Sequence, residues 1–435
     1  MRGLVARTWL ATRRVCIPRL RPLLRFNQDQ VVPIEDVSAL VARQYEAFVY
    51  PQPFEDIDQF VARGSFVMGD PSLYAPVLWP YGRPAGPLRI LVAGCGTVQA
   101  AYTAYMNRAD EVIGIDLSEA SLAHERFLQD RHGLHNLKLY RGDLLDAAEF
   151  GTAFDVIICS GVLHHLADPG EGLSALRAVL GPDGVMVLMV YGQAARSGVY
   201  MLQDAFRRMR LQCDAHGVAE VRAILAELPS HHCARHYIAM SKELEHDSAL
   251  VDTFLHAQDR AYTVPQLFDL VDSAGLEFQN WIDSAEYWRN GAWGSNSAIA
   301  NAVDLLPSKE HWAVIEALRQ GAGMHGFTAR HKGAEPAPNV DFAQSEWQRF
   351  TPHLAPGFVK TGSGQYRRGS YGLHCSPVEE FIVGSIDGES KIEGILSLSE
   401  LSRIPHDQLE SSGRAFFEHL WKLGHIMIAL PQVEA

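Results

Sequence analysis

Apolar and polar positions fall into a repeating order between residues 88 and 192. Short strand-like runs, most of them apolar, alternate with longer amphipathic stretches. The runs are "LRILVA" (Leu88–Ala93), "EVIGID" (Glu111–Asp116), "LKLYRGD" (Leu137–Asp143), "FDVIICS" (Phe154–Ser160) and "VMVLMVYG" (Val185–Gly192). All five predict strands; "LRILVA" reads as a buried one, and "FDVIICS", nearly all apolar, as a central parallel strand. The stretches between them predict helices: one from about Gln99 to Met106, one capped by Ser118 over "SEASLAHERFLQDR", and one around Gly172–Leu180 that ends at "GPDG". Strands separated by helices of this length imply βαβ units. The expected fold class is α/β, a doubly wound, mostly parallel Rossmann-like sheet. Right-handed crossovers place every strand C-terminus on one edge, where ligands bind.

Past Gly192 the order loosens. Residues 195–262 read as a helical insertion that holds "LPSHHCARHY", and "TVPQLFDLVDSAGLEFQNW" (Thr263–Trp281) restores a helix, a glycine stop and a strand. Residues 330–370 are rich in proline and glycine and read as a linker or long loop. From about Ser376 the pattern gives helix, short turn, helix, a further helix and a strand, which predicts a small C-terminal α/β, winged-helix-like unit. The expected divisions are an N-terminal arm (1–40), a lead-in segment (41–85), the central α/β domain (86–290), a linker and helical region (291–375) and the C-terminal unit (376–435).

Composition narrows the function. The chain has 435 residues, 47% hydrophobic and 20% charged, enough for a large core. A net charge of -13 argues against nucleic acid or an anionic membrane as partner. No apolar run is long enough to span a bilayer. The six cysteines are scattered without a C-x-x-C pair, which fits a reducing compartment and predicts a cytoplasmic protein. The first 28 residues carry seven Arg and no acid. That resembles a mitochondrial presequence and makes import the alternative location. Pro18 and Pro22 interrupt its helix, which favours a basic surface arm. "HHCARH" (His231–His236) sets His232 and His236 one helical turn apart, but no further ligand set follows, so no metal is expected.

The candidate chemistry begins at "LRILVAGCGTVQAAYTA" (Leu88–Ala104). A nicotinamide fingerprint needs a small residue where Gln99 stands, because its third glycine lets the helix pack close to a pyrophosphate. Gln99 therefore disfavours a nicotinamide-dependent oxidoreductase. Five pieces in order, "AGCGT", "GIDLSEASL", "RGDLLD", "FDVIICSGVLHHLADP" and "LRAVLGPDGVMVLMVYG", resemble the class I S-adenosylmethionine-dependent methyltransferases, and the later "YTVPQLFDLVDSAGLEF" is similar to the helix and strand that follow in that family. The likeness covers about residues 85–285. "QYEAFVYPQPF" (Gln44–Phe54) resembles the "YExxPYPxF"-like lead-in of a bacterial subgroup.

The resemblance implies S-adenosyl-L-methionine as cofactor and assigns roles to residues. Ala93, Gly94, Gly96 and Thr97 would pass beneath the methionine and ribose, with the following helix N-terminus favouring the carboxylate end. Asp116 would accept both ribose hydroxyls, and Asp143 the adenine amino group. Leu117 and Leu144 would flank the ring. Ser160 and Gly161 would lie beside the methyl donor. Two departures stand out: Val92 replaces the family's usual acid, and Val98 its usual third glycine. The candidate catalytic residues are His164, His165 and Tyr191, of which a histidine would act as base for an acceptor that keeps its proton. Tyr45 and Tyr50 in the lead-in, and His256 and Tyr262 in "DTFLHAQDRAYTV", are candidates to close over the substrate. The expected activity is methyl transfer to a small molecule or a protein or peptide side chain. A catalytically silent binding or assembly protein is the alternative, motivated by Val92 and by the C-terminal unit, which can bind peptides or pack a homodimer.

Overall fold

The computed structural model describes residues 37–289, 297–321, 323–336 and 339–432. The arginine-rich arm expected over 1–40 lies almost wholly outside the described residues.

Seven strands form the central sheet: β1 (Arg89–Ala93), β2 (Glu111–Asp116), β3 (Leu137–Arg141), β4 (Phe154–Ser160), β5 (Leu180–Tyr191), β6 (Leu276–Trp281) and β7 (Met324–His331). Their order is β3-β2-β1-β4-β5-β7-β6. The first five pair in parallel, and β7 runs antiparallel between β5 and β6. The sheet is therefore mostly parallel and Rossmann-like, as the strand–helix alternation implies. Residue alternation sends Ile90, Val92, Val156, Ile158, Val185 and Val187 into one core and Leu91, Ala93, Ile157, Cys159, Met186 and Leu188 into the other. Helices cover both faces, which is why these strands read as unbroken apolar runs.

The helix Gln99–Met106 follows β1, and Glu119–His132 follows β2 with the Ser118 hydroxyl accepting from Ser121 N at 3.2 Å. Gly133, at φ 59°, stops that helix in the left-handed region. The fifth strand begins earlier than its apolar run. "GPDG" is an irregular lead into β5 rather than a helix stop, because a register shift against Phe154 absorbs it. Its glycine at 184 is obligatory: a Cβ there would lie 2.7 Å from the Phe154 carbonyl oxygen.

The expectation of a linker over 330–370 fails. That stretch finishes β7 and holds β8 (Thr351–Leu354), β9 (Val359–Gly362) and β10 (Gln365–Arg368), and β11 (Tyr371–His374) follows directly after it. Its glycines sit in the tight turns, at φ 61° for Gly364 and 56° for Gly369. Pro352 is tolerated because its strand, β8, pairs with only β12 in a two-stranded sheet. The C-terminal helices Pro377–Gly384, Ile392–Leu396 and His406–Lys422 lead to β12 (Ile426–Ala429) in the expected order. The partner of β12, however, is β8, and Trp347 and Phe350 share a core with Ile382, Phe417 and Leu420. A boundary at 376 would cut through that core. The insertion after β5 carries helices Gln193–Met209, Ala215–Glu227, Ala234–Met240 and Asp247–Leu250, then a π-helical turn Val251–Leu255, around Val199, Phe206, Val221 and Phe254. No helix among the described residues is long and apolar enough to cross a membrane.

Candidate active site

A cavity of about 950 Å³ opens over the C-terminal edge of β1, β2, β4 and β5. Gly94, Gly96, Asp116, Leu117, Asp143 and Leu144 line one end, and Ser160, Gly161, His165 and Tyr191 line the middle. Tyr45, Tyr50 and Pro51 of the lead-in also line it, as do Arg196, Tyr237 and Glu243 of the insertion and Arg319 and Tyr371 further on.

The glycine turn is built for close approach. Gly94 has φ +74° and a Cβ there would meet Val162 Cγ2 at 2.4 Å; Gly96 has φ +57° and a Cβ there would meet Pro51 Cδ at 3.0 Å. Asp116 clamps the turn, its Oδ2 accepting from Gly96 N and its Oδ1 from Ser118 N, both at 2.8 Å. Burial raises the pKa of its carboxyl, while these backbone donors pull it back. Asp143 accepts from Leu145 N at 3.0 Å. Each carboxylate oxygen keeps lone-pair capacity for a further donor.

One expectation about this turn needs correcting. The N-terminus of the helix Gln99–Met106 has no side-chain cap of its own, yet it is not free. Glu125, buried on the next helix, accepts from Ala100 N at 2.9 Å and Ala101 N at 2.7 Å. Those two donors are therefore unavailable to a ligand carboxylate. Burial pushes Glu125 up to about 8 despite them. Val92 is fully buried in the sheet core, and Val98 packs at the helix entry.

The remaining site residues separate by position. His165 reaches the cavity, and its Nδ1 lies 2.8 Å from the Gln258 carbonyl oxygen, which requires the ring proton on Nδ1 and leaves Nε2 a lone pair. That Nε2 has no hydrogen-bond partner among the described residues. His164 is fully buried against Tyr191, and burial holds it well below the usual imidazole range, with the neighbouring His165 adding to the shift. Ala93, Thr97, His164, His256 and Tyr262 are not among the described residues that line the cavity. Thr97 Oγ1 instead donates to Pro51 O at 2.9 Å, tying the lead-in down over the turn. His256 stacks behind His165 with ring centroids 3.8 Å apart. Tyr262, 2% exposed, donates its backbone N–H to Tyr191 O at 2.8 Å and braces β5 rather than the substrate space. Tyr45 and Tyr50 are among the residues that line the cavity, donating to Asp252 Oδ1 at 2.8 Å and Glu243 Oε2 at 3.2 Å.

Sequence reasoning passed over Arg196, Asp252 and Asp259. Arg196 is 1% exposed, lies 3.7 Å over the Tyr191 ring, and pairs with Asp259 at 3.2 Å. Asp252 Oδ2 accepts from Tyr191 OH at 2.7 Å. The only hint was the density of polar and aromatic residues in "DTFLHAQDRAYTV", of which Asp252 is the first.

The family model for a methyltransferase domain matches residues 87–258, the span that carries the glycine turn, both aspartates and most of the insertion. A protein of Synechococcus sp., syc1184_c, is 30% identical over 336 residues, 74% of this chain and 78% of that protein. The chain belongs to the class I S-adenosylmethionine-dependent methyltransferase family. The ubiquinone biosynthesis O-methyltransferase of Ruegeria pomeroyi is 33% identical over 117 residues, 26% of this family member and 46% of the Ruegeria protein, so the likeness spans less than half of that relative. In fold, the methyltransferase resembles PKMT2 from Rickettsia typhi in complex with AdoHcy, with TM-score 0.62, 13% identity, and coverage of 83% of this chain and 75% of that one.

Proposed function

We propose that this family member transfers a methyl group from S-adenosylmethionine to a proton-bearing nucleophile on a small molecule or a protein side chain. The observation that carries the reading is a single cavity. It joins the Gly94–Asp116–Asp143 end to His165 and Tyr191 and continues past them to Arg196, Tyr237 and Glu243. The residues suit the cofactor: two glycines hold the backbone flat beneath it, and Asp116 and Asp143 retain acceptor capacity where ribose hydroxyls and an adenine amino group would lie. When bound, the cofactor supplies an electrophilic methyl on a positively charged sulfur leaving group.

The chain's own residues then align the acceptor and remove its proton. Ser160 and Gly161 form the floor beside the methyl position. Tyr45, Tyr50 and Pro51 cover it and exclude water. The unpartnered lone pair of His165 Nε2 is a buried acceptor in want of a donor, and an acceptor N–H or O–H satisfies it. As the acceptor atom gains the methyl group its proton passes to Nε2, giving an imidazolium that later releases it to water.

The test is incorporation of labelled methyl from S-adenosylmethionine into a cell extract with wild-type protein and with Asp116→Ala. Label that depends on the wild-type protein and is lost in the variant supports the reading. Tight cofactor binding with no incorporation in any extract favours the silent binding protein, to which the buried Val92 in place of an acid lends support.

A further inference from the structure

Asp252 is the carboxylate around which this site is organised, and neither the glycine turn nor the strand ends supply it. It stands in the π-helical turn Val251–Leu255. Such turns are rare and concentrate at functional sites, because the extra residue turns a side chain inward at some cost in hydrogen bonding. The residue is 2% exposed. Its Oδ1 accepts from Tyr45 OH on the lead-in helix Val37–Ala47, and its Oδ2 accepts from Tyr191 OH at the end of β5. Its Oδ1 also lies 3.9 Å from His165 Nε2. Three chain segments that are far apart in sequence thus converge on one carboxylate.

A metal ion is a poor explanation for this cluster. His165, Asp252 and His256 come within 4.8 Å of one another. The two imidazoles, however, stack at an interplanar angle of 20°, so their in-plane lone pairs run side by side instead of converging. His256 Nδ1 also accepts from Gln258 N at 3.0 Å, which leaves that ring's proton on Nε2. The neighbouring carboxylate, Asp259, is already committed to Arg196, whereas Asp252 has no cation bonded to it among the described residues. A buried carboxylate held by two phenols beside a basic nitrogen is suited to stabilise a positive charge that forms there.

We propose that Asp252 is a positioning residue for methyl transfer. It fixes Tyr45 and Tyr191 over the reacting space and stabilises the charge His165 acquires on taking the acceptor's proton. The proposal rests on the methyltransferase reading above. It also makes the site complete only when the lead-in helix is docked, since Tyr45 supplies one of the two phenols.

The test needs no identified acceptor. His165 faces His164 and Tyr191 on its own sheet edge, Tyr45 from the lead-in, and Asp252, His256 and Asp259 from the insertion. In full-length protein saturated with S-adenosylhomocysteine, the His165 ring resonance is followed against pH by NMR and assigned by its loss in His165→Gln. Replacing Asp252 by Asn removes one charge at about 4 Å, so the profile of the ring resonance against pH should shift toward lower pH. Asp252→Glu should recover part of that shift. Amide exchange over 37–47 should rise in Asp252→Asn and in Tyr45→Phe. S-adenosylhomocysteine affinity should stay within about threefold of wild type, which also verifies folding. An unmoved ring titration in a folded, ligand-binding variant overturns the proposal. So does stoichiometric zinc retained by wild type and lost by Asp252→Asn. Failure of the wild type to bind S-adenosylhomocysteine at all would instead sink the methyltransferase reading.

Discussion

Replacing Glu125 by Gln probes the support of the glycine turn. Glu125 is fully buried and accepts from two backbone N–H groups at the start of the helix that follows Gly96. Burial pushes its carboxyl up to about 8 in the folded protein, against an ordinary value of 4.5. A carboxyl raised by folding binds its proton more tightly in the native state. Its contribution is complete below the unfolded value and is lost as pH rises through the folded one. Between about pH 6 and about pH 9 the wild type should lose about 2–3 kcal/mol from this group alone, close to 1.4 kcal/mol per unit over the window where only the native state stays protonated. Gln does not titrate, so Glu125→Gln should lack that slope. It should also be less stable near pH 6 by about 1–3 kcal/mol, because its amide nitrogen faces a backbone N–H that then goes unpaired. Urea denaturation of both proteins at the two pH values reads the difference directly, since every other titrating group cancels between them. A stability gap between wild type and Glu125→Gln that stays constant with pH would refute the reasoning.

Three further outcomes follow from the same geometry. Asp116→Asn should weaken S-adenosylhomocysteine binding at least tenfold by calorimetry, the scale of a lost charge-assisted bond of about 1.5–3 kcal/mol, and unchanged affinity would remove Asp116 from the cofactor site. Gly94→Ala should lower the melting temperature, because the new Cβ meets Val162 at 2.4 Å on a backbone with φ +74°; an unshifted melting curve would show that the turn relaxes freely. Tyr191→Phe should slow methyl transfer about tenfold or more while cofactor affinity holds within about threefold, since only its bond to Asp252 is removed; a proportionate loss of affinity would point to a structural role instead.

What could be read from the chain followed from how local its causes are. Strands β1, β2, β4 and β5 announce themselves because burial on both faces demands apolar runs, and Ser118 and Gly133 mark a helix by capping chemistry confined to a few residues. The glycine turn, Asp116 and Asp143 sit at strand ends whose place is fixed once the sheet is recognised. β7 was invisible because "MHGFTARH" mixes polar and apolar residues and owes its place to β5 and β6 on either side. β8 to β11 were hidden because proline and glycine mark turns equally well in hairpins and in linkers. In the site, His165 and His164 are adjacent in sequence, and only the fold turns one toward the cavity and buries the other. Asp252 owes its role to a π-helical turn and to partners at residues 45, 165 and 191, none of which any local pattern encodes.

The most direct test of the central claim is calorimetric titration of the full-length protein with S-adenosylhomocysteine and, separately, with a nicotinamide dinucleotide. One-to-one binding of the first, lost on Asp116→Ala in a variant that still folds, together with no heat from the second, is the result this cavity predicts. No binding of S-adenosylhomocysteine, or equal affinity in wild type and Asp116→Ala, would contradict it.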